Sequence, residues 1–333
     1  MNSKKDLNQT LNRRNFITRT AAATVAASIA PASLLGAGER FHPVPSSPLP
    51  TRAFGKTGAR IPILTFGCGS RWMEYDIESG EKIINEAIDN GVIYLDTAHI
   101  YGDGQSEERI GRIMPARRKD VLIQTKIMTR DKDQWWKELE LSLQRMKVDY
   151  VDTLLIHDFQ LDDDLAAVEA KGGPLEQLYR AKEQKLTRWI GVSSHTNGQM
   201  LVKLLRRHKL DTVQMGLNVA TNSTRDFGFE ENALPVVVEQ ALGVIAMKVM
   251  GQDEIVGKYP KFDYATCLRY VLSLPVSSAT VGMPKPEHLR LNLEVVKNFK
   301  PFTPEEMLKI KAEAKEEIKT SFRDFMAGHR DVA

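Results

Sequence analysis

The chain has 333 residues, of which 42% are hydrophobic, so it is long for an average domain and has ample material for one core. Its formal charge is +3, but residues 1–37 hold five Lys or Arg and one Asp. The remaining 41 basic and 42 acidic residues give a charge of −1. No basic stripe with interleaved aromatic residues remains, which argues against a nucleic-acid-binding protein.

Residues 1–37 resemble a twin-arginine export signal. A charged start and the pair Arg13 and Arg14 precede an uncharged, Ala-rich run at 21–35. That run is shorter than the roughly 20 residues of a membrane span, and it contains Pro31. The alternative is a helical tail, but the pattern favours a cleaved signal, with the twin-arginine machinery as partner. It predicts a periplasmic or otherwise exported protein whose mature chain has no stable membrane span.

The rest of the chain predicts a linker and one barrel domain. Residues 38–50 contain four prolines and predict an extended linker, followed by a domain at 51–333. Short apolar runs predict strands at 63–67, 93–96, 121–126, 153–157, 189–193, 212–215, 244–248 and 279–282. Amphipathic stretches predict helices at 78–89, 107–114, 134–145, 175–182, 198–207, 230–240, 264–272 and 287–298. Strict alternation of eight strands with eight helices indicates a parallel (β/α)8 TIM barrel, with an additional C-terminal helix at 304–327.

A doubly wound sheet is the competing architecture. It is disfavoured because no GxGxxG sequence follows the first predicted strand and opens a helix.

The segment Tyr94–Gly111, YLDTAHIYGDGQSEERIG, combines a strand end, a glycine-bearing loop and a helix start. Asp96 ends the strand and Tyr101 lies in the loop, so the two side chains can share one pocket. A phenol becomes a proton donor to a carbonyl when a neighbouring cation lowers its pKa from about 10. Lys126 and His157 end two later strands, at the barrel face where such enzymes carry their chemistry.

These motifs together resemble the aldo-keto reductase family: DTAxxYGxGxSE, a strand ending in TK and a strand ending in LLIH. The match runs from about residue 51 to about residue 299. It implies a catalytic tetrad of Asp96, Tyr101, Lys126 and His157, which reduces an aldehyde, ketone or sugar with hydride from a nicotinamide cofactor. The alternative is an ordinary ion pair, a loop aromatic residue and a core histidine that have no shared role.

The resemblance also implies residues that bind the nicotinamide. Gly67 lies at the end of the first strand, and Ser193, Ser194 and Gln214 would face the nicotinamide amide. Ser194 replaces the usual asparagine of the family. Met247 stands where the family often has an aromatic residue that stacks on the ring, although plain core packing is an equal interpretation.

A phosphate and adenine clamp is implied by VGMPKPEHLRLNLE near the end of the domain. The residues concerned are Gly282, Lys285, His288, Arg290 and Asn292. Gly282 stands where many members have Lys, and His288 where many have Arg. The remaining cations favour NADP, with NAD as the alternative cofactor, because a 2′-phosphate requires positive charge. The same cations also fit a solvated helix face.

Two other functions remain open at the sequence level. One is an exported, non-catalytic barrel that binds a nucleotide or another ligand. The other is a metal-assisted hydrolase that uses His99, His157 and Asp158, although the sequence contains no metal-ligand spacing such as HExxH.

Overall fold

The structure is a computed structural model, which describes residues 40–160, 162–220 and 228–327. The predicted export signal at 1–37 lies outside the described residues. Within these ranges, no helix combines the length and the apolar character that a membrane crossing requires.

A short antiparallel hairpin precedes the barrel and was not predicted. It consists of β1 (Thr51–Ala53) and β2 (Arg60–Pro62). Phe54, which follows β1, is fully buried and packs edge-on against Tyr94 and Trp189, with ring centroids 6.0 and 5.2 Å away. Tyr94 is the first residue of its strand, so the hairpin covers the amino-terminal end of the barrel.

Eight parallel strands close into a barrel, which confirms the predicted TIM fold. The strands are β3 (Leu64–Gly67), β4 (Tyr94–Asp96), β5 (Leu122–Ile127), β6 (Val151–Ile156), β7 (Thr187–Ser194), β8 (Thr212–Gly216), β9 (Gly243–Met247) and β10 (Ser278–Gly282). Each strand pairs with the next, and β10 closes the ring on β3 with Gly282 opposite Gly67. Every residue of β5 and β6 is buried, as in parallel strands that are covered on both faces.

Helices follow the strands and surround the barrel. They are α1 (Ser70–Met73), α2 (Ile77–Asp89), α3 (Gln105–Arg117), α4 (Lys132–Met146), α5 (Asp162–Glu169), α6 (Pro174–Glu183), α7 (Gly198–Arg207), α8 (Leu234–Glu239), α9 (Tyr264–Ser273), α10 (Pro286–Lys297), α11 (Pro304–Glu317) and α12 (Ser321–Ala327). Side-chain caps fix the starts of five of them, since each cap accepts a backbone N–H from the first turn: Asp76, Asp131, Asn197, Asp263 and Thr303.

Most predicted elements differ from the structure by a few residues at their ends, and three of the differences have a clear cause. The tail is two helices rather than one, because Lys319 adopts a left-handed φ of 50° between α11 and α12. His157 and Lys248 lie just after their strands rather than within them. The strands end there because Asp158 and Lys248 have φ values of 53° and 57°, which an extended strand does not accommodate.

Candidate active site at the carboxyl ends of the strands

Lys126 joins two other predicted catalytic residues. Its Nζ lies 2.8 Å from Asp96 Oδ1 and 3.2 Å from the Tyr101 hydroxyl oxygen, and it donates a third hydrogen bond of 2.8 Å to the carbonyl of Thr97. The side chains of Lys126 and Asp96 are 1% and 5% exposed. Because a buried ammonium needs acceptors for its protons, this arrangement fixes Lys126 against the phenol.

Two glutamines hold the Asp96 carboxylate. Gln124 Nε2 donates to Oδ1 and Gln214 Nε2 donates to Oδ2, both at 2.7 Å. The two amides also contact each other, with Gln124 Nε2 3.2 Å from Gln214 Oε1. The side-chain amide of Gln214 is therefore engaged with Asp96 here, and its role toward a nicotinamide amide stays a prediction. Gln124 was not predicted, because a glutamine inside an apolar strand is not a specific signal.

His157 completes the group. Its ring lies edge-on to that of Tyr101, with centroids 5.8 Å apart and an angle of 77° between the planes. Its backbone N–H donates 2.9 Å to the carbonyl of Ile127, which places the residue directly above β5 and β6. The structure thus brings Asp96, Tyr101, Lys126 and His157 together at one point.

The loop that carries Tyr101 is shaped by glycines and by a serine. Gly102 and Gly104 have φ values of 58° and 93°, and a side chain at Gly104 would overlap the guanidinium of Arg145. Ser106 donates 2.7 Å to the carbonyl of Cys68, which ties the start of α3 to the end of β3. The glycines and the serine of the motif therefore hold Tyr101 over the barrel.

Glu107, the last residue of the motif, has a structural role. It is fully buried, accepts a hydrogen bond of 2.7 Å from Thr125 and lies 3.4 Å from Arg145. Burial raises the pKa of this carboxyl, while the hydrogen bonds and Arg145 oppose that rise. Glu107 thus anchors α3 to β5 and α4.

His99 faces the scaffold. Its Nδ1 lies 3.0 Å from the hydroxyl of Ser142, and Arg145 donates 3.1 Å to its carbonyl. Burial, with a further contribution from the charge of Arg145, lowers the pKa of His99 to about 4. The residue is therefore neutral near pH 7.

Among the residues that the structure describes, no group of three His, Cys, Asp or Glu side chains could hold a metal ion.

A cavity of about 550 Å³ opens beside the tetrad. Its lining includes five residues that were predicted from the sequence: Gly67, Asp96, Tyr101, Met247 and Gly282. It also includes residues that the sequence reasoning did not nominate: Arg71, His195, Lys248 and Tyr264. His195 directly follows β7 and Arg71 lies just after β3. Their positions after strands of the barrel could have indicated that they line the cavity, because residues there face the active site of such barrels.

The predicted nicotinamide serines differ in their contacts. Ser193 Oγ accepts a hydrogen bond of 3.1 Å from the backbone N–H of Asp158, and so holds the turn after His157. Ser194 Oγ is buried and has no hydrogen-bond partner among the described residues. Since buried polar atoms in proteins are almost always paired, the hydroxyl of Ser194 fits a ligand amide.

The residues of the predicted phosphate and adenine clamp also differ in their burial and contacts. Asn292 is fully buried on α10, and both polar atoms of its side chain lack partners within the described ranges. The ring of His288 stacks on Tyr264, with centroids 4.7 Å apart. Lys285 and Arg290 are exposed. The unpaired amide of Asn292 fits the hydrogen-bonding edge of a base, so this donor set is compatible with a dinucleotide.

The family model described as "Aldo/keto reductase family" matches residues 64–264, which is more than half of the chain. The chain belongs to the aldo/keto reductase family. It is therefore an NAD(P)-dependent oxidoreductase that acts on carbonyl compounds, as the motifs predicted. The non-catalytic barrel is not favoured, because the tetrad of the family is assembled around Lys126.

Two relatives show the extent of the similarity. An uncharacterised oxidoreductase of Bacillus subtilis is 24% identical over an alignment of 312 positions that covers 82% of this chain and 99% of that protein. The L-glyceraldehyde 3-phosphate reductase of Escherichia coli is 27% identical over an alignment of 232 positions that covers 62% of this chain and 63% of that protein.

Solved structures share the barrel. The holo form of an aldo-keto reductase from Bacillus halodurans superposes with a TM-score of 0.68 at 20% identity, covering 83% of this chain and 99% of that one. An aldo-keto reductase of Klebsiella pneumoniae in complex with NADPH gives 0.66 at 21% identity, covering 80% and 95%. At these identities the likeness supports the fold alone.

Proposed function

We propose that this protein is an NADPH-dependent reductase of an aldehyde, ketone or sugar, with Tyr101 as the proton donor. The observation that carries the proposal is the buried Nζ of Lys126, placed between Asp96 Oδ1 and the Tyr101 hydroxyl beside the open cavity. NADH is the alternative donor of hydride.

When bound, the reduced nicotinamide supplies hydride to the carbonyl carbon of the substrate. Negative charge then develops on the carbonyl oxygen, and Tyr101 gives its hydroxyl proton to that oxygen. The ammonium of Lys126, 3.2 Å from the phenol oxygen, stabilises the phenolate that is left. Asp96 pairs with this ammonium and holds it in place, and His157 is positioned beside Tyr101 to donate a hydrogen bond to the carbonyl oxygen of the substrate. In the oxidative direction Tyr101 takes the proton back.

The cofactor would be held along the cavity from the tetrad to the end of β10. Gly67, Met247 and Gly282 line this path. Ser194 and Asn292 are fully buried and are not among the lining residues, but their side-chain polar atoms have no partner among the described residues and are suited to the polar edges of nicotinamide and adenine. A fold neighbour from Klebsiella pneumoniae was solved with NADPH, and we carry this cofactor over to the present chain as part of the proposal.

The test is NADPH consumption with a panel of short aldehydes, ketones and aldoses. The panel begins with small polar aldehydes, because relatives in Escherichia coli include an L-glyceraldehyde 3-phosphate reductase and a methylglyoxal reductase. The variant Tyr101→Phe should lose at least about 100-fold in kcat, the usual contribution of a general acid, while it binds NADPH as the wild type does.

Tyr259→Phe is the matched control. Tyr259 donates or accepts a single hydrogen bond of 2.9 Å with Ser321 at the exposed surface, so its variant should keep full activity. If the kcat of Tyr101→Phe equalled that of the wild type, Tyr101 could not be the proton donor.

We further propose that the chain is exported by the twin-arginine machinery and acts in the periplasm. The support is the pair Arg13 and Arg14 ahead of the uncharged run at 21–35. Replacement of both arginines by lysine should keep the full-length protein in the cytoplasmic fraction, whereas the wild type should appear shortened in the periplasmic fraction. An unprocessed wild-type chain in the cytoplasm would contradict export.

A further inference from the structure

We infer that Arg71, seated in the space left by the missing side chain of Gly282, is a cationic residue that binds phosphate groups of the dinucleotide cofactor. This inference rests on the proposed function and assigns a residue to the same site. It concerns two residues far apart in the sequence, which the closure of the barrel brings together.

Gly282 is explained by space rather than by backbone conformation. It ends β10 and lies outside the set of glycines with positive φ, so its backbone could accept any residue. A Cβ built at position 282, however, would lie 2.8 Å from Arg71 Cβ and 3.0 Å from Arg71 Cγ. These atoms form the base of the arginine side chain, which cannot move without α1. A side chain at 282 and the present position of Arg71 therefore exclude each other.

Barrel closure fixes this contact. Gly282 pairs with Gly67 at the end of β3, and α1 begins three residues further along the chain at Ser70. Arg71 consequently leans over the end of β10. Both Arg71 and Gly282 line the cavity, together with Thr280 and Pro284. The arginine thus presents positive charge at the end of the cavity where the phosphates of an extended dinucleotide would lie.

One partner of Arg71, the carboxylate of Glu74, is easily exchanged. Nη1 of Arg71 lies 2.9 Å from Glu74 Oε1, and the two side chains are 33% and 51% exposed. Ion pairs at this exposure contribute little to stability, because water screens both charges. A guanidinium gains more from the paired oxygens of a phosphate, since its planar fork matches them in a bidentate geometry. A phosphate that enters the cavity can therefore take Arg71 from Glu74.

The experiment is a fluorescence titration of the full chain with NADPH and with NADH, for the wild type, Arg71→Ala and Glu74→Gln. Arg71→Ala should raise the Kd for NADPH about tenfold or more, while Tm and circular dichroism stay unchanged. If Arg71→Ala weakens the binding of NADH and NADPH by the same factor, Arg71 contacts the pyrophosphate, which both nucleotides carry. If only NADPH binding is weakened, Arg71 contacts the 2′-phosphate. Either result supports the inference.

Glu74→Gln separates binding from structure. It removes the carboxylate charge of Glu74 but leaves the arginine, so its Kd for NADPH should be equal to or lower than that of the wild type. If Glu74→Gln raised the Kd for NADPH as much as Arg71→Ala does, the ion pair would serve to hold the local structure rather than to bind phosphate, and the inference would be overturned. A change of less than about threefold in Arg71→Ala would also overturn it.

A double-variant cycle tests the link to Gly282. Gly282→Ala should displace Arg71 and weaken NADPH binding by a factor close to that of Arg71→Ala, yet should change little in an Arg71→Gly background, which lacks both contacting atoms, Cβ and Cγ. An equal cost of Gly282→Ala in both backgrounds would show that the residues act independently, against the inference. Failure of the wild type to bind either nucleotide would overturn the proposed function, and this inference with it.

Discussion

The partners of Asp96 show how single residues shape the candidate site. Its carboxylate meets the ammonium of Lys126 and the amides of Gln124 and Gln214, so each of its two oxygens has a protein donor. Lys126 lies on β5, which pairs with the strand of Asp96, whereas Gln214 reaches Asp96 from β8, 118 positions later in the sequence. The motifs predicted Asp96, Lys126 and His157 at strand ends and Tyr101 in the loop after the strand of Asp96. They could not predict the two glutamines as partners, because that depends on which side chains turn into the closed barrel.

His99 gives a pH dependence at the residue scale. An unfolded histidine has a pKa of about 6.5, whereas burial lowers that of folded His99 to about 4. Between these values the unfolded chain binds the extra proton. The stability that depends on neutral His99 is therefore complete above about pH 6.5 and is lost as the pH falls toward about 4.

The matching variant is His99→Gln, which cannot take up this proton. Between about pH 7.5 and about pH 5, the wild type should lose about 2 kcal/mol more of its free energy of unfolding than the variant does. Urea denaturation at the two pH values measures the difference. Parallel pH profiles for the two proteins would contradict the assignment of this loss to His99.

The contact between α3 and α4 illustrates the element scale. A side chain on Gly111 would overlap the backbone carbonyl of Arg145, so the two helices touch at that point through main chain alone. The periodicity of apolar residues predicted both helices, with their bounds displaced by a few residues at the ends. It did not predict that Gly111 sets their separation, since a glycine within a helix is a signal of low specificity. The packing of neighbouring helices depends on surfaces that neither sequence segment contains alone.

Gly111→Ala should therefore be costly although alanine is the better helix former. The backbone of α4 has to move, and the free energy of unfolding should fall by about 2 kcal/mol or more. Gly80→Ala is the matched control in α2. The nearest atom to its new Cβ is the end of the flexible Arg109 side chain at 3.2 Å. The free energy of unfolding of Gly80→Ala, measured by urea denaturation, should lie within about 1 kcal/mol of the wild-type value. Equal stabilities for the two variants would contradict the proposed close packing.

At the scale of the whole molecule, the two ends of the barrel have different contents. The hairpin and Phe54 cover the amino-terminal end with apolar and aromatic side chains, and the carboxyl end carries the tetrad and the cavity. Alternating apolar and amphipathic segments predicted the barrel and the face of its candidate site. They did not predict the hairpin, because strands of three residues are too short to show a period. The break in the C-terminal helix escaped prediction too, since Lys319 is not a typical residue for a left-handed turn.

Phe54→Ala should separate stability from binding. Phe54 is fully buried against Tyr94 and Trp189, so its loss should lower the free energy of unfolding by about 3 to 5 kcal/mol. The Kd for NADPH of the folded variant should remain that of the wild type, because the cavity lies at the other end. Phe325→Ala, at a position that is 38% exposed, is the control and should cost far less. A large rise in Kd for Phe54→Ala would contradict this division.

The central claim is hydride transfer to a carbonyl with Tyr101 as the acid, and isotope transfer tests it most directly. NADPH that carries deuterium at the transferring position is mixed with the wild-type protein and an aldehyde from the active part of the panel, and the alcohol is analysed by mass spectrometry. The account predicts deuterium in the alcohol carbon with the wild type. It predicts at least about 100-fold slower labelling with Tyr101→Phe, although that variant binds NADPH equally well. An unlabelled product, or equal labelling rates in the two proteins, would contradict the account.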